Sequence, residues 1–164
     1  MNISLKSALL ASGLILTANA QASVIAENLS TARSGGNDAV SFNFNDLSSH
    51  SAVTINFDLT TLDSWDGSHS YYGVDLFGLN IDGVNIFEYS FTHEFGFSQT
   101  NTVAPTTMSN FGGAGSQDAF YDNYSGGFTV AHSASTLNVE FYSSGLQSMG
   151  DESWYVDDVD ISND

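Results

Sequence analysis

The 164-residue chain has no cysteine, one proline and only two strongly basic residues, Lys6 and Arg33, against 19 acidic residues. Without cysteine no disulfide can hold the fold, so stability must come from a hydrophobic core and from any bound ion. The formal net charge of −17 repels nucleic acid and anionic lipid, which excludes both as partners. After the N-terminal leader no apolar run is long enough to span a bilayer, so we predict no membrane insertion.

The first 22 residues have the three parts of a secretory signal peptide. Positive charge lies in 1–6, an apolar run follows at 8–16, and small-x-small cleavage sites follow at 18–20 and 20–22. The alternative is a buried N-terminal helix. We predict a secreted protein, extracellular or periplasmic, in which residues 23–164 form a single domain. Cleavage would leave Arg33 as its only strongly basic residue.

Composition and hydrophobic period favour an all-β fold. Aromatic residues make up 13% of the chain, and helical segments rich in Lys, Glu and Ala are missing after the leader. Alternating apolar and polar residues predict strands at 53–60, 136–142 and 154–161, and Asp82-Gly83 indicates a two-residue hairpin turn. Residues 92–127 are loop-like, with short strands predicted at 95–98 and 119–121. We predict a two-sheet antiparallel β-sandwich of the jelly-roll type.

The alternation of the central strand ends in an acidic corner, Asp63-Ser64-Trp65-Asp66-Gly67. In a jelly roll an early strand commonly lies antiparallel to the last one, which would bring this corner opposite Asp151 and Glu152. Convergent carboxylates repel one another unless a cation or a proton lies among them. Calcium accepts six to eight oxygen ligands, which suits such a corner. The candidate calcium ligands are Asp63, Asp66, Asp75, Asp151, Glu152 and Asp157.

Asp157 has an argument of its own. It shares strand parity with the residues at 155, 159 and 161, so it should point with them unless a bulge intervenes, and a buried carboxylate needs a cation or several donors. The alternative is that Asp63 and Asp151 cap turns and that a bulge turns Asp157 outward. The acidity of the chain would then reflect solubility in a salty medium.

Aromatic residues beside the corner are candidates for ligand binding. Trp65 could form a flat surface for a sugar ring with Tyr71 and Tyr72, or it could close the core of the sandwich together with Trp154. Tyr71 and Tyr72 are adjacent in a loop and cannot both be buried on one face, so they are the better candidates. No GxSxG elbow, HExxH helix or thiol nucleophile is present, and we predict a non-catalytic protein.

One internal similarity relates two distant segments. Residues 50–57, beginning at His50, and residues 132–139, beginning at His132, are identical at five of eight positions. Each segment is a turn that leads into a long alternating strand. We predict that both strands enter the sandwich in the same way, with the two histidines hydrogen-bonded at the strand entries.

The segments Asp63-Ser64-Trp65-Asp66-Gly67 and Asp151-Glu152-Ser153-Trp154-x-x-Asp157 resemble motifs of secreted bacterial β-sandwich proteins that often carry PEP-CTERM-type sorting tails. The resemblance covers roughly residues 40–161. It implies a sandwich like those of lectins and carbohydrate-binding modules, with structural calcium. We therefore expect a calcium-stabilised, non-catalytic module for adhesion or glycan binding in the extracellular matrix. The alternatives are a self-associating structural protein of the envelope or matrix, and a polysaccharide-degrading enzyme.

Overall fold

The computed structural model describes residues 22–94, 96–109 and 117–164. The strands are β1 (Ser23–Leu29), β2 (Ser34–Gly35), β3 (Ala39–Phe44), β4 (Ala52–Asp63), β5 (Leu76–Ile81), β6 (Val84–Ser90), β7 (Thr107–Ser109), β8 (Asp118–Tyr121), β9 (Phe128–Ala131), β10 (Leu137–Ser144) and β11 (Glu152–Asn163). A single 3-10 turn, Tyr124–Gly126, separates β8 from β9 in this part of the chain. The predicted signal peptide, all but residue 22, lies outside the described residues.

The strands form two antiparallel sheets. The first has the order β1-β11-β4-β8-β7, with β2 also paired to β11 and β9 also paired to β4. The second has the order β3-β10-β5-β6. Within the three described ranges, no helix is long and apolar enough to cross a membrane.

The path of the chain between these sheets is that of a jelly roll. It crosses from β3 in the second sheet to β4 in the first and returns to the β5–β6 hairpin. It then crosses to β7, β8 and β9 in the first sheet, to β10 in the second, and to β11 in the first. The last strand lies between the first strand and β4, as the two interlocked Greek keys of a jelly roll require. The predicted two-sheet antiparallel jelly-roll sandwich is therefore confirmed.

The apolar face of β4 supplies the centre of the core between the sheets. Val53, Ile55, Phe57 and Leu59 alternate along the strand, and each is at most 1% exposed. The Phe57 ring meets the edge of Phe141 on β10 at a centroid distance of 4.8 Å. The alternation of apolar and polar residues predicts that one face of this strand is buried. In the structure that face is buried and the opposite face is partly exposed.

The hairpin and the central strand pair follow the sequence predictions. Asp82 and Gly83 connect β5 to β6 with φ angles of 49° and 75°, the two positive values that a type I′ turn requires. β4 pairs antiparallel with β11, and Glu152 lies opposite Asp63. The acidic corner at the end of β4 consequently lies beside the start of the last strand.

A bulge in β11 changes which residues face the core. The pairing with β4 shifts register between Asp157 and Asp160, and Asp158 adopts a φ of 46°. The extra residue allows Val156 and Val159 both to be buried while Asp157 and Asp158 are exposed. The expectation that Asp157 points with the apolar residues is therefore wrong, and the alternative, a bulge that turns Asp157 outward, describes the structure.

The segment between β6 and β9 was the least predictable part of the chain. The predicted strand at 119–121 corresponds to β8, which starts one residue earlier. Residues 96–98 form a turn and loop in place of the predicted strand, and residue 95 lies outside the described part. The short edge strand β7 has too few residues for a hydrophobic period to indicate it.

Candidate metal centre

Three of the six predicted ligands meet at one buried place. Carboxylate oxygens of Asp66, Asp75 and Glu152 lie within 4.8 Å of one another. Asp66 is 8% exposed, and Asp75 and Glu152 are fully buried. Oxygens that share one calcium ion are separated by at most about 5 Å, twice the usual calcium–oxygen distance. The spacing of this acidic triad (Asp66, Asp75 and Glu152) is therefore compatible with a common ion.

The chain brings the triad together by turning sharply after β4. Asp63, the last residue of β4, has a φ of 68°, a conformation that aspartate tolerates better than most residues. Asp66 then forms an isolated bridge with Thr92, and Asp75 immediately precedes β5. Glu152 reaches the same place from the other side because it begins β11, the partner of β4.

Hydrogen bonds hold part of the triad in place but leave one oxygen unpartnered. Asp75 Oδ2 accepts a hydrogen bond from the backbone N–H of Asp66. Glu152 Oε2 accepts one from the backbone N–H of Gln147 at 2.5 Å. Asp75 Oδ1 is buried, and no donor among the described residues reaches it. An ionised Glu152 only accepts hydrogen bonds, so Asp75 Oδ1 can be satisfied by a proton on Glu152 or by a cation.

Burial and mutual repulsion make it costly to ionise all three groups. Desolvation is the largest cause that raises the pKa of Asp75 to about 6, and the nearby Asp66 carboxylate adds to it. Desolvation also raises the pKa of Glu152 to about 8, assisted by the charges of Asp75 and Asp66. The pKa of Asp66 is raised by burial and then by Glu94. The triad therefore favours conditions in which positive charge lies among its oxygens.

The one strongly basic side chain among the described residues, Arg33, does not neutralise the triad. Arg33 Nη2 contacts Asp63 Oδ2 at 2.5 Å, and its Nε donates to Ser153 Oγ at 2.7 Å. The nearby His93 is buried between Thr61 Oγ1 and the carbonyl of Asp63, and its burial lowers its pKa. The imidazole therefore favours its neutral form.

The other three predicted ligands are not members of the triad. Asp63 is paired with Arg33, and its backbone N–H donates to Asp118 Oδ1 at 2.8 Å. Asp151 Oδ1 accepts a hydrogen bond from the hydroxyl of Ser64 at 3.0 Å, a contact between two side chains rather than the backbone N–H cap of the alternative interpretation. Asp157 lies on the exposed bulge. Sequence reasoning missed the contact of Arg33 with Asp63, because the arginine approaches from a segment 30 residues earlier.

The predicted ligand-binding aromatics separate into buried and exposed residues. Trp65 is fully buried, its indole N–H donates to the carbonyl of Ser153 at 3.1 Å, and its ring packs edge-on against Phe91. Its faces are therefore unavailable to a ligand. Tyr71 is 82% exposed and Tyr72 is 52% exposed. These two tyrosines occupy the loop that runs from Asp66 to Asp75.

Two half-buried rings, His69 and Phe97, join the exposed Tyr71 and Tyr72 to form an aromatic surface. His69 stacks on Phe97 at a centroid distance of 4.3 Å and on Tyr72 at 5.0 Å. Tyr71 meets Tyr72 edge to face at 4.9 Å. The sequence placed His69 beside the tyrosines without indicating a role for it. Phe97 joins them from a segment that carries no regular period.

Comparisons with known proteins add little to this description. No family model matches the chain, and no curated protein matches it. Among solved structures, a chain in the structure of infectious bursal disease virus Gt strain aligns over 96% of this chain with 13% identity and a TM-score of 0.41. The alignment spans 37% of the viral chain. The fold assignment rests on the strand order described above.

Proposed function

We propose that this protein is a secreted, non-catalytic β-sandwich that calcium stabilises and that binds a glycan or another matrix component. One observation carries the proposal. The buried acidic triad lies at the base of the loop that bears three of the four rings of the aromatic surface, His69, Tyr71 and Tyr72. The signal-peptide pattern of residues 1–22 supports secretion, into either the periplasm or the medium.

Calcium fits the chemistry of the triad better than other common ions. All three side chains offer carboxylate oxygen, which suits magnesium, calcium and manganese, and none offers the sulfur or imidazole that favours softer metals. Calcium accepts irregular shells that backbone carbonyls and water complete, whereas magnesium demands a near-ideal octahedron. A divalent ion would also provide a partner for the buried Asp75 Oδ1.

An ion in the triad would fix the loop that carries the aromatic surface. Asp66 and Asp75 are the two ends of this loop, and Glu152 begins β11 in the first sheet. The loop is already closed by a hydrogen bond from the Asp75 N–H to the carbonyl of Gly67 at 2.9 Å. An ion that connects both ends of the loop to β11 would hold the tyrosines in one position. Less conformational entropy is then lost when a ligand binds.

The aromatic surface offers the flat apolar area that sugar rings use. Tyrosine combines a large apolar face with a hydroxyl that can bond to polar groups of a ligand. The rings of His69, Tyr72 and Phe97 support one another, so they lose little conformational freedom on binding. This arrangement favours a glycan over a charged polymer as the ligand.

The calcium part of the proposal is tested by thermal unfolding of the purified protein in calcium, in magnesium and in chelator. An ion at 100 times its dissociation constant stabilises the native state by about 2.7 kcal/mol, which corresponds to about 9 °C for a domain of this size. Asp66→Asn should lose the rise. Asp157→Asn, which changes an exposed carboxylate outside the triad, should keep it. Equal midpoints in calcium and chelator would contradict the proposal.

The glycan part is tested on a glycan array in calcium. Tyr71→Ala and Tyr72→Ala should each weaken binding without a change in the thermal midpoint. Tyr89→Ala changes another partly exposed tyrosine, on the edge strand β6, and should bind like the wild type. Binding that survives both loop substitutions would refute the assignment of the surface. Sugar release during the assay would favour the enzyme alternative.

A self-associating structural protein is the second candidate. β6 is an edge of the second sheet, and it exposes Val84 at 64% and Tyr89 at 39%. Open edges with apolar residues can pair with another copy of the chain. Calcium-dependent oligomers without glycan binding, lost on substitution of Val84 by lysine, would favour this candidate over the first.

A further inference from the structure

The two segments that are similar in sequence bring their first residues together at the end of the sandwich opposite the acidic triad. His50 lies just before β4, and His132 lies between β9 and β10. His50 Nε2 and His132 Nδ1 are 2.6 Å apart. The two copies therefore place one imidazole against another.

The two rings meet edge to edge, with the facing nitrogens aimed at each other. Their centroids are 4.9 Å apart and their planes differ by 16°. If both facing nitrogens lie on the line between the ring centres, the centroid distance equals the nitrogen–nitrogen distance plus the distance from nitrogen to ring centre in each ring. The observed centroid distance of 4.9 Å and nitrogen–nitrogen distance of 2.6 Å agree with this sum. The lone pair of each facing nitrogen consequently points along the line that joins the two rings.

The far side of each ring is already bonded to an acceptor. His50 Nδ1 donates to the carbonyl of Ser48 at 2.6 Å. His132 Nε2 donates to Asp82 Oδ2 at 3.0 Å. In a neutral imidazole only one nitrogen carries hydrogen, so both facing nitrogens would present lone pairs. Something positive must lie between them, either one shared proton or a metal ion.

We propose that His50 and His132 form a binding site for a divalent transition-metal ion, which takes the place of the shared proton. Imidazole nitrogen is a preferred ligand of zinc, copper and nickel. A metal-bound histidine commonly donates its second N–H to a carboxylate or a backbone carbonyl. Asp82 and the carbonyl of Ser48 already provide these two acceptors. Water completes the coordination, and each bound ion releases one proton.

A movement of both rings is needed to admit the ion. Two nitrogens on one tetrahedral zinc are about 3.4 Å apart, as bond lengths of 2.0–2.1 Å require, so the rings must part by less than about 1 Å. Each ring must also tilt by about 35°, because its lone pair points along the line between the rings and must turn toward the ion. His132 borders a cavity of about 190 Å³ between the β5–β6 hairpin and β9. Asp82 Oδ1 accepts the backbone N–H of Asn138 at 2.8 Å, which holds the carboxylate in position behind His132.

The direct test is electron paramagnetic resonance of the wild-type protein with one equivalent of copper(II), in saturating calcium so that the triad is occupied. We expect hyperfine couplings from two imidazole nitrogens. Couplings from one nitrogen or none would overturn the proposal. This measurement needs no substitution, so it stands even where a histidine variant fails to fold.

Zinc titration calorimetry tests the same site through its variants. His50→Gln and His132→Gln should each weaken zinc binding at least tenfold. Asp82→Asn should weaken it about 10–100-fold, the usual effect of losing an outer-shell carboxylate. His69→Gln, a histidine of the aromatic surface, is the matched control and should bind like the wild type. Equal affinities for the wild type and His50→Gln would mean that the pair holds a proton only.

Discussion

In calcium-depleted solution, the acidic triad should make the protein less stable as the pH rises. Burial raises the pKa of Asp75 from 3.8 to about 6 and that of Glu152 from 4.5 to about 8. A group whose pKa is higher in the folded than in the unfolded state contributes its full stabilisation at pH values below the unfolded-state pKa. This contribution is lost as the pH rises through the folded-state pKa. The free energy of unfolding should therefore fall between about pH 4 and about pH 8.

The size of the effect follows from the shift at Asp75. A change of about two pKa units is worth on the order of 3 kcal/mol, which is a large part of the 5–15 kcal/mol that typically stabilises a domain. Glu152 acts in the same direction. Asp75→Asn keeps the shape of the side chain, removes its charge, and offers an amide N–H to the Glu152 carboxylate. At pH 8 without calcium, the free energy of unfolding of this variant should exceed that of the wild type by up to about 3 kcal/mol.

Urea unfolding at pH 5, 6.5 and 8 measures this effect, with the fluorescence of the buried Trp65 and Trp154 as the signal. His93 opposes the trend, because burial lowers its pKa and favours folding at higher pH, but it contributes equally to both proteins. Asp157→Asn serves as the control and should follow the wild type. Identical pH profiles for wild type and Asp75→Asn would refute the reasoning. In saturating calcium, the free energy of unfolding should depend on pH with the same slope in the wild type and in Asp75→Asn.

Four further substitutions at three positions test the local structure by the same unfolding assay. Gly67→Ala should cost about 1–3 kcal/mol or more, because Gly67 has a φ of 68° and an added Cβ would collide with a backbone carbonyl; a neutral effect would contradict the loop conformation. Asp63→Ala should lower the free energy of unfolding by about 1 kcal/mol more than Asp63→Asn does. Both variants lose the charge pairing with Arg33, but only asparagine tolerates a φ of 68° well. Equal losses of stability in the two variants would refute this reasoning. Leu79→Ala, at a fully buried site, should cost about 2–5 kcal/mol, and a loss below 1 kcal/mol would contradict its place in the core.

Most of the fold could be predicted because its strands bury one face. Alternation along 53–60 identified β4, and Asp82-Gly83 identified the hairpin from the backbone conformation that glycine permits. The pairing of β4 with β11 then followed from jelly-roll connectivity. The edge strands β2 and β7 have two and three residues, too few for a period, and their positions depend on neighbours that are distant in sequence.

The site was predictable only where strand pairing determines it. Pairing of β4 with β11 brings Glu152 to the acidic corner, and the return of the loop to β5 brings Asp75. The bulge at Asp158 carries no glycine and no other local signal, so strand parity assigned Asp157 to the wrong face. Arg33 pairs with Asp63, so Asp63 is not one of the acidic residues of the triad, and this contact joins two separate segments of the chain. Contacts of this kind depend on tertiary structure and leave no trace in residue spacing.

The two proposed ion sites address one physical problem at opposite ends of β4. The described chain contains no disulfide and one strongly basic side chain, which is paired with Asp63. The converging carboxylates of the triad therefore need a cation or a proton among them, and so do the facing lone pairs of the two imidazoles. At one end β4 meets β11 and the loop before β5. At the other end the turn that leads into β4 meets the turn that leads into β10, which in turn contacts the β5–β6 hairpin. A cation at each end would connect the two sheets where the hydrogen-bonded ladders stop. If this reasoning holds, zinc and calcium should stabilise the protein additively, since their sites are far apart and share no ligand.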